Sequence, residues 1–161
     1  MLRLRKIEPT DLPYLYQWEN DARMWADSST HNPLSKADLH QYIESTTGDI
    51  YRDGQLRLMI EDEGVSMGCI DLFDFDPRNR KAAIGMYIAP HARGKGIGRQ
   101  SVRLLEEYAF DFLKLRMLYA IIAQKNIVCS TIYEKEGYHP SSLLHAWTLE
   151  DNAILWQKWR D

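Results

Sequence analysis

Residues 84–99 read Ile84-Gly85-Met86-Tyr87-Ile88-Ala89-Pro90-His91-Ala92-Arg93-Gly94-Lys95-Gly96-Ile97-Gly98-Arg99. An apolar strand runs into a proline, a loop with alternating glycines follows, and a long amphipathic pattern begins. Glycines at 94, 96 and 98 allow positive φ and let a ligand approach the main chain closely. The first N–H groups of a helix have no partner within it, and the helix dipole places partial positive charge there. Such a join binds phosphate. Arg93, Lys95 and Arg99 add full positive charge around it. A plain linker needs neither these cations nor an immediate helix start. The P-loop spacing Gly-x-x-x-x-Gly-Lys-Ser/Thr does not occur here. The dinucleotide fingerprint needs Gly-x-Gly-x-x-Gly at the first strand–helix turn, with an acid about 20 residues on. These glycines instead fall late in the chain, every second residue, before a helical pattern that runs on to Lys114.

The chain outside this stretch is of ordinary composition. Its 161 residues suit one domain, 1–161, with a sizeable core. Apolar residues make up 45% and charged residues 27%, as in a soluble globular protein. A net charge of −3 argues against a general binder of nucleic acid or of anionic membranes. Cys69 and Cys129 cannot make a disulfide framework, and both read as small buried apolar residues. The start, Met1-Leu2-Arg3-Leu4-Arg5-Lys6, alternates like a strand and has no signal-peptide core. No apolar run is long enough to cross a bilayer. A reducing cytoplasm is therefore the expected compartment. The five histidines show no metal-ligand spacing, so no metal is expected.

Taken in order, residues 2–7 predict a strand. Thr10 predicts an N-cap, with Asp11 in the first turn and Pro13 tolerated there. Asn20-Asp21 breaks this helix, and a short helical piece is expected over 22–25. Ser35 caps a second helix, with Asp38 at the capping-box position. Strands over 55–61, 66–75 and 81–89, joined by turns at 62–64 and 76–79, form an antiparallel meander. After the glycine loop, Ile97, Ser101, Leu104, Leu105, Tyr108, Phe112 and Leu115 keep helical spacing. A buried strand over 118–123, a helix over 126–136 ended by Gly137, and a hairpin of 143–149 with 153–159 complete the chain. A crossover as long as the helix from 97 joins parallel strands. The expected architecture is α/β of the α+β kind. It has a mixed, mostly antiparallel sheet of about seven strands with helices on both faces.

A second constellation lies downstream. Asn126, Ser130, Tyr133 and Gly137 share one face of a helix. A polar stripe beside a buried strand needs a polar target. Together the two patterns are specific. Arg93-x-x-Gly96-x-Gly98 resembles the Arg/Gln-x-x-Gly-x-Gly/Ala signature of the GNAT N-acetyltransferase superfamily. Asn126-x-x-x-Ser130-x-x-Tyr133, with Gly137-Tyr138 after it, resembles the superfamily's Asn-x-x-x-Ala/Ser-x-x-Tyr helix. The element order also resembles that of the GNAT fold, so the resemblance covers essentially the whole chain. Within the superfamily, the start at Leu2-Arg3-Leu4-Arg5, the strand Gly85-Met86-Tyr87-Ile88 and the closing hairpin look like the branch of ribosomal-protein N-terminal and spermidine/spermine acetyltransferases.

The resemblance implies direct acetyl transfer from acetyl-CoA to a primary amine, with no covalent enzyme intermediate. Coenzyme A would lie on Arg93, Gly94, Lys95, Gly96, Ile97, Gly98 and Arg99. Asn126 would hold the pantetheine arm or the helix start, with Ser130 beside it. A backbone amide at Tyr87 or Ile88 would support the oxyanion, and Tyr133 would protonate the leaving thiolate. A phenol can donate that proton. Many relatives carry a glutamate in the piece matching residues 81–84, where this chain has Ala82 and Ala83. Asp71, which interrupts an apolar run, is the first candidate for the base and Asp74 the next; a water relay or deprotonation in bulk serves equally. Glu19 and Asp21 would lie at the helix end lining the acceptor side, and Trp25 could contact the acceptor. The acids Asp21, Asp27, Asp71 and Asp74 suit a cationic acceptor, and a solvated acidic surface explains them equally well. The acceptor is then a small polyamine-like amine or a protein N-terminal amine. A non-catalytic acyl-CoA-binding module and an enzyme for a longer acyl donor are the alternatives. By analogy with relatives, a homodimer through the C-terminal strands would use Trp156 and Trp159.

Overall fold

A computed structural model describes residues 1–22 and 32–161. Strand β1 (Leu2–Lys6) leads through a 3-10 turn (Pro9–Asp11) to helix α1 (Leu12–Glu19). Helices α2 (Lys36–Ser45) and α3 (Ile50–Asp53) precede strands β2 (Leu56–Asp62), β3 (Val65–Asp76) and β4 (Lys81–Ile88). Helix α4 (Ile97–Glu106) runs on into a π-helical segment (Glu107–Phe112). Strand β5 (Met117–Ala123), helix α5 (Ile127–Lys135) and strands β6 (His139–Leu144) and β7 (Ala153–Trp159) follow. The strands form one sheet in the order β1-β2-β3-β4-β5-β7-β6. Neighbours are antiparallel except β4 and β5, which the α4 crossover makes parallel. The mixed, mostly antiparallel sheet read from the sequence is the one observed.

Each face carries its own core. Leu15, Trp18, Leu39 and Ile43 of α1 and α2 pack on Met59 and Cys69. On the other face Val102, Leu105 and Ala109 cover Ile70, Leu72, Ile84, Leu118 and Ala120. Burial pushes the Cys69 thiol up to about 12, which makes it an inert packing residue. Among the described residues no helix is long and apolar enough to cross a membrane.

Local chemistry sets most boundaries. Ser35 accepts from Asp38 N (3.0 Å) and donates its own N–H to Asp38 (3.0 Å), the expected capping box of α2. Three boundaries differ from expectation. Thr10 does not cap α1. Glu8 N donates to Asp11 instead (2.8 Å), and Asp11 is only 2% exposed because Arg5 donates to both of its oxygens (2.9 and 2.8 Å). The unexpected α3 is capped by Asp49, which accepts from Tyr51 N (2.9 Å). In the last hairpin β6 begins at His139, and residues 145–152 form the connection. There Ala146 N donates to Asn152 Oδ1 (2.8 Å) and Thr148 N to Asp151 O (3.0 Å).

Candidate active site

The site begins where β4 and β5 part. They pair only at Lys81↔Met117, Ala82↔Leu118 and Ala83↔Tyr119. Beyond Ala83, β4 stays on β3 as far as Gly68↔Ile88, and β5 stays on β7 as far as Ala123↔Ala153. A gap therefore opens between the two parallel strands. On its β3 side the end of β4 is held by Ala89 N donating to Met67 O (2.8 Å). Backbone groups alternate sides along a strand, so Met86 and Ile88 turn their N–H groups the other way, into the gap. Of the two residues expected to offer an amide there, the geometry selects Ile88. The side chain of Tyr87 lies on the α1 face, 5.5 Å from the Trp18 ring, with its hydroxyl 3.4 Å from Asp21 Oδ2.

At the mouth of the gap lies the glycine turn. Gly94 and Gly96 have φ of +74° and +76°, and Gly96 starts α4 with no side-chain cap. The first amides of α4 are thus left for an incoming group. Gly98 serves packing: a Cβ there would meet Ile132 Cδ1 at 2.9 Å and Met86 Cε at 3.3 Å, so its absence lets α4 sit against α5 and β4. Ile97 is buried beneath the turn, and Lys95 is exposed on it. Arg93 Nε donates to Ile88 O (2.9 Å), which ties the loop back to the strand end. Arg99 departs from expectation. Its Nε donates to Glu136 Oε1 (2.7 Å), and Arg103 takes Oε2 (2.8 Å), so much of its charge is spent on the end of α5. A gap edged by the inward-turned amides of Met86 and Ile88, with a helix start that has no side-chain cap among the described residues and the exposed cations Arg93 and Lys95 at its mouth, fits a long thin ligand that ends in phosphates.

The α5 stripe flanks the gap. Asn126 caps α5 by accepting from Cys129 N (3.2 Å), so its side chain secures the helix start. Ser130 Oγ donates within the helix to Ile127 O (3.2 Å). Tyr133 is 1% exposed and packs edge-on against Tyr138, centroids 5.1 Å apart. Burial, with smaller contributions from Cys129, Glu106 and Asp71, pushes its phenol well above the usual value, so it keeps its proton.

Across the sheet from Tyr133 lies a cavity of about 320 Å³ between α1, α2 and the β2–β3 ladder, lined in part by Glu19, Asp38, Tyr42, Arg57 and Asp71. Asp71 points into it. Both its oxygens are taken by Arg57, Nε to Oδ1 and Nη2 to Oδ2, each at 2.8 Å. The remaining Arg57 nitrogen, Nη1, donates to Glu19. Both Asp71 oxygens thus already accept charge-assisted hydrogen bonds, and a base role there would require the Arg57 pair to open. Asp74 is exposed at the irregularity between Phe73 and Asp76, away from this cavity's lining. Trp25 and Asp27 lie outside the described residues. Sequence reasoning missed Arg57. The available signal was Asp71 itself, since an acid in an apolar strand needs a cationic partner.

Residues 1–139 match the acetyltransferase (GNAT) domain. The spermidine N(1)-acetyltransferase of Escherichia coli K12 is 28% identical over 140 residues, covering 85% of this chain and 72% of that protein. A putative ribosomal N-acetyltransferase of Bacillus subtilis, YdaF, is 37% identical over 76 residues, 47% of this chain and 42% of its own. In fold, the chain is similar to spermidine N-acetyltransferase from Vibrio cholerae, solved in complex with CoA and spermine. The TM-score is 0.89 at 21% identity, over 98% of this chain and 95% of that one.

Proposed function

We infer that this chain, which belongs to the GNAT acetyltransferase family, transfers an acetyl group from acetyl-CoA directly to a primary amine of a polyamine. It is an acetyl-CoA-dependent N-acetyltransferase. Acetyl-CoA, when bound, supplies the activated acyl group as a thioester. The chain's own residues supply the rest. The glycine turn, the start of α4, Arg93 and Lys95 hold the phosphates, and Arg99 assists from its place on Glu136. The Ile88 N–H donates to a carbonyl oxygen placed in the gap, where developing negative charge strengthens the bond. Tyr133 holds the proton that a departing sulfur needs. Asn126 and Ser130 keep α5 in place beside it. The amine is delivered neutral after losing its proton to water, a reading supported by the two hydrogen bonds Asp71 already accepts from Arg57. Glu19, Asp21 and Asp71 give the acceptor side the negative character that a polycation needs.

The observation that carries this reading is the gap itself: β4 and β5 part after three residue pairs, and the uncapped start of α4 follows at the glycine turn. The test is thiol release from acetyl-CoA with spermidine, spermine, amino sugars, amino acids and Ala- or Ser-started peptides. Spermidine or spermine should accelerate release, and Tyr133→Phe should lower kcat about 10²-fold, the scale of lost acid catalysis, while coenzyme A binding by calorimetry is spared. Turnover of peptides alone would replace the polyamine, and an unaffected Tyr133→Phe enzyme would remove Tyr133 from the chemistry.

The protein acts as a homo-oligomer in the cytoplasm. Support comes from the open β6 edge, where Leu143 is 44% exposed, and from Trp159 of β7, 53% exposed. Trp156, expected with it at an interface, is instead buried in the core at 7%. Light scattering on the eluted protein tests the assembly, and a monomer at micromolar concentration would refute it.

A further inference from the structure

Glu136 closes the helix that carries Tyr133, and it stands where an acid is poorly placed. It follows the last residue of α5, at the negative end of the helix dipole, and its side chain is only 6% exposed. Two arginines one turn apart on α4 offset both costs: Arg99 Nε donates to Oε1 (2.7 Å) and Arg103 Nε to Oε2 (2.8 Å). The Glu136 carbonyl oxygen accepts from Lys158 Nζ of β7 (2.8 Å), and the same ammonium lies 2.7 Å from Glu106 Oε2 on α4. An ion pair of this kind adds little net stability over well-packed apolar residues, since desolvation offsets much of its attraction. What it supplies is a fixed geometry between the helices it joins. Here that geometry concerns the turn around Tyr133. Glu136 N and Tyr138 N both donate to Tyr133 O (3.1 and 3.0 Å), and the Tyr138 ring rests edge-on against the Tyr133 ring. Ile132, the residue before Tyr133, sits against Gly98 in the first turn of α4, and Arg99 belongs to that same turn.

We propose that Glu136 is a positioning residue for acetyl transfer: by gripping Arg99 and Arg103 it locks the turn that carries Tyr133 onto the helix whose start binds coenzyme A, and so sets the acid at its working distance from the thioester sulfur. The proposal rests on the roles given above to Tyr133 and to the start of α4. Glu136 touches none of the reacting atoms. Its removal lets the end of α5 shift on α4, while the amides of the glycine turn and the cavity between α1, α2 and the β2–β3 ladder stay where they are. Its effect therefore belongs in kcat, not in acceptor KM or in coenzyme A affinity.

The test measures kcat and acceptor KM, with the amine that the wild type turns over fastest, and coenzyme A binding by calorimetry. It compares the wild type with Glu136→Gln, Arg103→Met and Tyr133→Phe, and with the two double variants that add Tyr133→Phe to the others, well below their melting temperatures. Glu136→Gln should lower kcat roughly tenfold, the scale of a shift of about half an ångström in a positioned group. Acceptor KM should be unchanged and coenzyme A bound no more weakly. Arg103→Met leaves Arg99 on Glu136 and should lower kcat about threefold, with KM and coenzyme A affinity unchanged. In the Tyr133→Phe background neither substitution should lower kcat further, because the proton they position is gone. A general loosening of the fold would cost the same factor in both backgrounds, and that result overturns the proposal. Wild-type kcat in Glu136→Gln and Arg103→Met, beside an impaired Tyr133→Phe, overturns this proposal alone. Should Glu136→Gln not fold, Arg103→Met carries the test, since its side chain is 57% exposed. Wild-type kcat in Tyr133→Phe removes Tyr133 from the chemistry, and this proposal with it.

Discussion

Gly68 gives the most exacting check on the strand end that the chemistry depends on. It lies on β3 opposite Ile88 with φ of +152°, and a Cβ there would stand 2.0 Å from the Tyr87 carbonyl oxygen and 3.0 Å from Ile88 Cα. Both atoms are backbone, so no rotamer change relieves the overlap, and the ends of β3 and β4 must part by roughly an ångström. Overpacking of this kind costs about 1–3 kcal/mol. The unfavourable φ and a weakened ladder bond add about 1–2 kcal/mol between them. A total of about 3 kcal/mol lowers Tm by roughly 6–12 °C in a domain of this size. The displaced residue carries the amide that faces the gap, and a shift of about 1 Å in a positioned group costs on the order of 10²-fold in rate. Gly68→Ala should therefore melt early and also lose kcat/KM when assayed well below its melting temperature. Gly64→Ala is the control: at φ +78° with nothing within 4 Å, it bears only the backbone strain of about 1 kcal/mol and keeps full turnover. Gly68→Ala melting within 2 °C of wild type, or turning over normally per folded molecule, would break the link drawn between this strand pair and catalysis.

Two further outcomes follow from the same geometry. Arg93→Ala removes an exposed cation of the glycine turn and its tie to Ile88 O, and should weaken coenzyme A binding about tenfold in calorimetry, since a charge-assisted bond is worth about 1.5 kcal/mol or more. Glu136→Gln tests a pH dependence. Burial alone would raise the Glu136 carboxyl, but hydrogen bonds from Arg103 and Arg99 outweigh it and hold the group below its ordinary 4.5. A carboxyl lowered in the folded state stabilises above its unfolded pKa and loses that contribution as pH falls through the folded value. The wild type should thus exceed Glu136→Gln by about 1 kcal/mol above roughly pH 5.5, with the difference closing below pH 4 in urea titrations. A difference that widened in acid would reverse the sign assigned to this pair.

What could be read from the chain follows the range of the interactions concerned. The glycine turn was legible because glycine spacing, adjacent cations and a helix start are all local, and the structure gives Gly94 and Gly96 the positive φ they allow. Ser35 with Asp38 was legible for the same reason, whereas the family resemblance left Asn126 to the pantetheine arm or the helix start and its side chain caps α5. Arg57 was not, since an arginine in an alternating strand reads as solvent-facing until the register sets it opposite Asp71 and the end of α1 reaches it. Arg99 misled for the converse reason: beside a phosphate loop in sequence, it finds a carboxylate 37 positions away. Gly68 could have been suspected, as an isolated glycine in an apolar strand marks close backbone approach. Its partner, however, becomes known only from the fold.

The gap between β4 and β5 needs no ligand to open it. Beyond Ala83 each strand keeps an unbroken ladder on its outer side, β4 with β3 and β5 with β7, so neither depends on the other past three residue pairs. Two close approaches then fix its geometry. The missing side chain at Gly68 lets β3 grip the end of β4, and the missing side chain at Gly98 lets the first turn of α4 settle against Ile132 and Met86. The first orients the Ile88 amide, and the second sets the uncapped helix start at the gap's mouth. Because the first rests on backbone and the second on side chains inside packed layers, the donor and the phosphate site are held at a fixed separation before anything binds. Binding energy is then free to be used on the acceptor, whose cavity lies across the sheet and owes its charge to side chains alone. Substitution of Glu19, Arg57 or Asp71 can retune that cavity without disturbing the gap.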